Sequence, residues 1–292
     1  VFSGLDYMSS FLQEYQRQPK LFIDLPSQGI WYDETVIENN RSQQLPVFGM
    51  NAMDEILFKT PDALFTGEAT AQVIKSCIPS ILDPWRLVGY DIDFILIALR
   101  IATYGDSIDL NTTCPKCQAS NEHSASLNVL LQGFNGYETK FNFELNEFKF
   151  NLKPITYKRT TDFSIEHYTF NRELYQIENL NDISPEEKNK MSQELYAKSA
   201  QLNVRIALSH VESIEKDGNL EIDQDQIISF ITNNDVEFYE GIKSGISDLT
   251  GRWNIPAFDA ECSSCGHNFK SAIELDYSNF FGVKSLISRN LL

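Results

Sequence analysis

Apolar side chains repeat at helical spacing in several parts of the chain, most clearly between Asp91 and Tyr104. The apolar positions of this stretch recur at three- and four-residue intervals: Ile92, Ile95, Leu96, Leu99 and Ala102. Gly105 follows them as a helix terminator. Apolar residues surround this predicted helix almost completely, so we expect it to be buried at the centre of the fold. Asp91 is expected to be a carboxylate at its N-terminus, where the helix dipole favours negative charge, and not a catalytic partner of Asp93.

Two other stretches alternate between apolar and polar residues, which is typical of β-strands. Each contains two alternating runs separated by a Cys-x-x-Cys motif. The first motif consists of Cys114 and Cys117, and the second of Cys262 and Cys265. The sequence therefore predicts two β-hairpins, each with a pair of cysteines at its tip.

The predicted fold class is α+β: a mixed domain with two β-hairpin zinc knuckles, in the manner of a split zinc ribbon, and a largely helical insertion. The predicted division is an N-terminal arm at 1–19, an α+β core at 20–130 and 252–279, an insertion at 131–251 and a C-terminal tail at 280–292. The insertion begins with a hairpin that turns at Asn146-Glu147 and continues as helices from Thr160 to Ile214. Leu21 to Tyr32 is predicted as two strands around a turn.

Both terminal segments carry apolar residues. In the arm these recur at helical spacing, at Leu5, Met8, Phe11, Leu12 and Tyr15. Such an arm either reaches a neighbouring subunit or packs on its own domain, and the sequence leaves both interpretations open. The tail from Phe280 to Leu292 is predicted to be an apolar, mobile segment.

The four cysteines of the two motifs, Cys114, Cys117, Cys262 and Cys265, predict a structural zinc site. Four thiolates complete the tetrahedral shell that Zn²⁺ prefers, whereas a catalytic zinc keeps one position open. His123 and His267 lie near the motifs and are alternative ligands. Because 144 residues separate Cys117 from Cys262, the metal would join distant parts of the chain.

A redox pair and disulfides are the competing interpretations of these cysteines. A redox Cys-x-x-Cys lies at a helix N-terminus, where the dipole lowers the thiol pKa, but strand-like residues follow both motifs here. Disulfides across two residues are strained, and residues 1–11 show no secretory signal leading to an oxidising compartment. The fifth cysteine, Cys77, is expected to be a buried, inert thiol in an apolar helix.

Composition and charge narrow the classes of function. The chain has 24 basic and 41 acidic residues and a net charge of −17, which opposes binding to nucleic acid. No apolar run approaches the ~18 residues that a membrane span requires. The nucleophile elbow, the phosphate-binding loop and the zinc-protease motif are all missing from the sequence, so it is not predicted to be an enzyme.

An ordered set of short motifs in the first half of the chain resembles the baseplate hub and hub-assembly proteins of T4-like contractile-tailed bacteriophages. The set, spread over roughly residues 20–117, is Pro26-Ser27-x-Gly29, Asp54-Glu55, Thr60-Pro61-Asp62-Ala63-Leu64, Gly67-x-Ala69, Cys77-x-Pro79, Asp83-Pro84, Asp91-x-Asp93 and Arg100-x-Ala102-Thr103-Tyr104-Gly105. The resemblance implies a protein of the central baseplate, in the virion or in the host cytoplasm during assembly. It also implies an oligomeric assembly with other tail proteins and no catalytic residues.

Two other functions remain open from the sequence. One is a zinc-ribbon adaptor for nucleic acid or the transcription machinery, which the negative charge opposes. The other is a cell-wall-degrading baseplate enzyme, which would need two carboxylates facing each other in a groove. The sequence alone places no such pair.

Overall fold

The computed structural model describes residues 17–38, 44–134, 141–180, 183–253 and 255–272, with the backbone of residues 286–287 and 289–290. The helices are α1 (Ala52–Phe58), α2 (Pro61–Phe65), α3 (Glu68–Cys77), α4 (Gly89–Tyr104), α5 (Leu127–Gln132), α6 (Tyr157–Glu178), α7 (Pro185–Leu208), α8 (Gln224–Thr232) and α9 (Val236–Thr250). The strands are β1 (Pro19–Ile23), β2 (Leu45–Phe48), β3 (Ser107–Thr113), β4 (Ser120–Ser126), β5 (Asn142–Leu145), β6 (Phe148–Leu152), β7 (Val211–Lys216), β8 (Asn219–Glu221), β9 (Phe258–Glu261), β10 (Asn268–Ala272), β11 (Leu286–Ile287) and β12 (Arg289–Asn290). The fold is mixed α and β, as the sequence predicts.

The strands form small sheets. Their orders are β1-β2, β11-β3-β4, β12-β10-β9 and β5-β6-β7-β8. Neighbouring strands are antiparallel, except that β11 runs parallel to β3. Both hairpins that carry the cysteine motifs, β3-β4 and β9-β10, are therefore present as predicted.

Helix α4 lies at the centre of the core and confirms the prediction of a buried helix. It begins at Gly89, two residues before the predicted start, and ends before Gly105. Its central side chains have no exposed surface: Ile92, Ile95, Leu96, Ile97, Ala98 and Leu99. The surrounding core includes residues of β1, β2, α3, α5 and the sheet β5–β8.

Asp91, in the first turn of α4, binds the loop that follows β1. Its carboxylate accepts hydrogen bonds from the Ser27 amide at 3.1 Å, from the Ser27 hydroxyl, and from the Tyr32 hydroxyl at 2.5 Å. The prediction of two strands between Leu21 and Tyr32 is wrong in its second half. Turns replace the second strand because Gln28 and Gly29 both adopt positive φ, at 52° and 70°.

Burial raises the pKa of Asp91 to about 6, although the hydrogen bonds from Ser27 and Tyr32 act in the opposite direction. The folded protein therefore binds a proton more tightly than the unfolded chain, whose aspartate pKa is about 3.9. It follows that stability from this group increases as the pH falls through 6 and is lost as the pH rises.

We predict that the substitution Asp91→Asn removes this pH dependence. Between pH 7.5 and 5 the wild-type protein should gain about 1–2 kcal/mol of unfolding free energy relative to the variant. Denaturant unfolding of both proteins at several pH values measures this difference. Effects of pH on other groups cancel in the comparison, so a difference that stays constant with pH would contradict the prediction.

Helices α6 and α7 form a long antiparallel hairpin inserted between β6 and β7. The predicted capping box is present, because the Ser184 hydroxyl accepts from the Glu187 amide and the Glu187 carboxylate accepts from the Ser184 amide. The prediction of helix up to Ile214 is wrong for the last residues. The helix ends at Leu208, and β7 instead pairs with β6, which buries Val211 and Ile214 in the core.

Helices α8 and α9 cover one side of the sheet β5–β8 through aromatic contacts. The ring of Phe148 lies 5.1 Å from that of Phe230 in α8, and the ring of Phe150 lies 6.2 Å from that of Phe238 in α9. Gly245 allows α9 to lie close to strand β5, since a Cβ atom at this position would lie 2.7 Å from the Phe143 ring.

The predicted terminal segments fall largely outside the described residues. This applies to residues 1–16 of the arm and to most of the tail at 280–292. The described parts of the tail are the short strands β11 and β12, which pair with β3 and β10. In the described part of the chain, no helix is both long enough and apolar enough to cross a membrane.

Candidate metal centre

The two cysteine hairpins pack face to face. On β3-β4 the inward side chains include the buried Leu110 and Asn121, and on β9-β10 they include the buried Ala260. The ring of His123 lies 6.2 Å from the ring of Phe258 and 6.5 Å from that of Phe269. This packing brings the two hairpin tips to the same end of the molecule, although 144 residues separate them in the sequence.

The two tips have the same backbone geometry. The amide of Cys114 donates to the Ala119 carbonyl, and the amide of Cys262 donates to the His267 carbonyl, both at 2.9 Å. Gln118 and Gly266 occupy the equivalent position four residues after the first cysteine, with φ of 61° and 65°. At this position the amides of Gln118 and Gly266 donate to the carbonyls of Cys114 and Cys262, both at 2.9 Å, which closes each turn.

The four Sγ atoms of Cys114, Cys117, Cys262 and Cys265 lie within 4.8 Å of one another. The Cys114–Cys265 separation is 3.8 Å and the Cys117–Cys262 separation is 3.5 Å. Four sulfurs placed tetrahedrally at ~2.3 Å from a zinc ion would be about 3.8 Å apart, so the cluster has the dimensions of a tetrahedral thiolate site. All four cysteines are free, and their sulfurs can bind a metal ion.

The cluster favours a bound cation electrostatically. Burial alone would raise the pKa of Cys262, but the amides of Cys265 and Ser264 lower it to about 6. At Cys117 the Ala119 amide lowers the pKa, while the neighbouring thiols of Cys265 and Cys262 raise it to about 12. One thiolate thus suppresses ionisation of the next, and a divalent cation at the centre would remove that repulsion.

Asn121 joins the two hairpin tips and is a residue that sequence reasoning missed. Its Oδ1 accepts from the Ser263 amide at 2.8 Å and from the Ser263 hydroxyl at 2.9 Å. Its Nδ2 donates to the Ala119 carbonyl at 2.9 Å. No sequence pattern marks this asparagine, because its role depends on the packing of two distant hairpins.

The alternative ligands His123 and His267 lie outside the group of atoms that can bind the metal. The Nε2 atom of His123 forms a hydrogen bond with the Thr112 hydroxyl at 3.1 Å. The ring of His267 stacks on Phe269 with the ring centres 6.2 Å apart. Both imidazoles therefore take part in packing the hairpins.

Cys77 is buried in α3, as predicted, and lies apart from the cluster. Its sulfur is 3.7 Å from the Asp54 carboxylate, and burial raises its thiol pKa to about 12. A thiol with such a pKa remains protonated at neutral pH, which fits the expected inert role.

Several residues of the motif set that resembles the baseplate proteins contact one another inside the fold. Ser27 binds Asp91, and Asp54 contacts Cys77. The Thr103 hydroxyl accepts from the Met50 amide and donates to the Leu99 carbonyl. These contacts fix loops to helices, so the motif residues have structural roles.

Comparison with known proteins gives one informative result. Neither curated proteins nor solved structures give a significant match. A sequence model of the family described as "T4 bacteriophage base plate protein" matches residues 50–282, which is well over half of the chain and includes all four clustered cysteines. The chain therefore belongs to the T4 bacteriophage base plate protein family.

Proposed function

We propose that this protein belongs to the central hub region of a phage tail baseplate, where it acts by binding other tail proteins. Family membership already identifies a structural protein of the phage baseplate and associates it with other tail proteins. The match over residues 50–282 is the observation that carries the proposal. The hub position rests on the ordered motifs between Pro26 and Gly105 that resemble hub and hub-assembly proteins.

We further propose that one Zn²⁺ ion, bound by Cys114, Cys117, Cys262 and Cys265, holds the two hairpins together. The sulfur separations and the four-thiol donor set support zinc as the ion. Such a closed site contributes to folding and has no free position for a substrate. Its role would be to hold the β3-β4 hairpin and the β9-β10 hairpin in a fixed arrangement.

The two alternative functions have less support. The net charge of −17 opposes a nucleic-acid adaptor. A cell-wall hydrolase needs a carboxylic acid with a raised pKa that can reach the polysaccharide. Asp91 has a raised pKa, but it has no exposed surface and is enclosed by Ser27 and Tyr32.

Genetic deletion tests the proposed function. Cells infected with a phage that lacks this gene should accumulate tail parts without a complete hub, and a plasmid copy of the gene should restore tails. Electron microscopy of lysates and immunoblotting of purified virions distinguish a hub component from an assembly factor that leaves the particle. Normal tails without the gene would contradict the proposal.

A further inference from the structure

A hollow of about 410 Å³ lies between the β7-β8 hairpin and α8. Its floor is apolar and consists of Phe148, Ile214, Ile227 and Phe230, and the exposed Leu220 lies at its edge. Its rim is polar and includes Lys216, Asp217 and Glu221. The sheet ends at β8, so the hollow opens at an outer strand and a partner can approach it from the side.

The residues beside the hollow expose apolar surface that the fold does not cover. Every residue from Asp217 to Gln226 is exposed. Leu220 is 61% exposed and Ile222 is 67% exposed. Leu220 lies in β8, and Ile222 directly follows that strand. Exposed aliphatic side chains next to an apolar hollow are typical of a binding surface.

The same ten residues carry four carboxylates and no basic side chain: Asp217, Glu221, Asp223 and Asp225. Asp223 caps α8, and Glu221 accepts from the Ile222 and Asp223 amides, but these bonds leave the negative charges in place. Within the described residues, no ion pair involves any of the four. Asp217 and Glu221 line the hollow, and Asp223 and Asp225 follow directly in the chain, so the surface at this side of the hollow is negative.

Lys216 does not reverse this charge. Its ammonium lies 2.9 Å from the Glu147 carboxylate, which neutralises it, and 4.7 Å from the centre of the Phe148 ring. The second contact shows that the aromatic floor accepts a cation, because the ring face attracts positive charge. An arginine or lysine side chain from another protein would meet the same ring system and the negative charges of Asp217 and Glu221.

We propose that this hollow is the docking site for a basic segment of another tail protein. An apolar or aromatic side chain of that segment enters the hollow, and flanking lysine or arginine residues face the carboxylates of residues 217–225. The inference rests on the proposed function, since it requires a partner in the baseplate. Buried apolar anchors supply most of the binding energy, and complementary charge supplies specificity and fast association.

A second apolar groove, between α6 and α7, has no charge of one sign that would select a partner. Its rim carries Glu173 and Glu194 but also Lys198, so its charge does not favour a partner of one sign. Glu173 and Glu194 are exposed, as are Glu221 and Asp225. The two surfaces therefore offer matched sites for the same change of charge.

Complementation of the gene-deleted phage tests the proposal. The double variant Glu221→Lys/Asp225→Lys should lower the titre of complemented phage at least about 100-fold, because like charges would then face each other in the interface. The control Glu173→Lys/Glu194→Lys makes the same change of charge at the other groove and should complement like wild type. Melting curves and metal content of the purified variants verify that both fold.

The variant Asp217→Asn/Glu221→Gln removes two negative charges beside the hollow and replaces them with uncharged side chains of similar shape. It should lower the titre less than the charge reversal does.

Wild-type titres with both hollow variants would overturn the proposal, and so would an equal loss with the control. If the phage without the gene builds normal tails, the proposed function itself fails. If the phage without the gene lacks normal tails but both hollow variants complement fully, that function stands and the docking site is wrong.

Discussion

Replacing Cys262 with serine is expected to abolish zinc binding and to lower the melting temperature of the protein markedly. The substitution leaves three thiolates, and the site joins two hairpins separated by 144 residues. A metal that binds only the folded arrangement contributes its binding free energy to folding, which amounts to about 10–16 kcal/mol in small zinc domains. Even a fraction of that amount is large compared with the usual stability of a protein.

Metal analysis and thermal unfolding measure this result. The wild-type protein should contain one zinc per chain, and the Cys262→Ser variant should contain none. A strong chelator should lower the melting temperature of the wild type towards that of the variant and leave the variant unchanged. Wild-type protein without zinc, or a variant with as much zinc as wild type, would contradict the assignment of the ligands.

The fifth cysteine provides the matched control. Cys77 is also buried, but it lies in α3 beside Asp54, outside the metal cluster. The variant Cys77→Ser should therefore retain one zinc per chain. Any loss of stability in it would come from the polar hydroxyl in the core and should remain insensitive to the chelator.

The cysteine cluster was predictable because its signals are local. A Cys-x-x-Cys between two alternating runs specifies a hairpin tip, and the positive φ of Gln118 and Gly266 follows from the short turn. Two such pairs in one chain indicate a common site even though the sequence does not show how they meet. The face-to-face packing and the Asn121 bridge were not predictable, because both depend on contacts between residues more than 130 positions apart.

Other features of the fold could be predicted only in part, for the same reason. The buried helix α4 has a strong periodic pattern, and its position in the core is confirmed. Asp91 was correctly placed at the start of that helix, but its partners Ser27 and Tyr32 come from a distant loop. The first four residues of β7, residues 211–214, were predicted as helix because they form a strand only by pairing with β6 and β8.

The motifs that this chain shares with hub and hub-assembly proteins consist in part of residues that contact one another in the fold. Ser27 and Asp91 form one contact of the set, and Asp54 and Cys77 form another. A sequence pattern made of such contacts identifies a fold and does not identify a reaction. This agrees with membership in a family of structural baseplate proteins.

The substitution Leu96→Ala is expected to destabilise the protein strongly, because it truncates a fully buried aliphatic side chain of α4. Leu96 has no exposed surface and lies in the middle of the helix, with buried neighbours on both sides in the sequence. Removing three carbon atoms there loses hydrophobic burial and leaves a cavity that rigid surroundings fill poorly. The expected loss of unfolding free energy is about 2–5 kcal/mol.

Denaturant unfolding with saturating zinc measures this loss without interference from the metal site. The matched control is Leu220→Ala, because the same side chain is removed at a position that is 61% exposed, and its cost should stay within about 0.5 kcal/mol. An equally small cost at Leu96 would mean that α4 is not packed in the core. A large cost at Leu96 with a small one at Leu220 would show that α4 is packed in the core and that Leu220 contributes little to the stability of the fold.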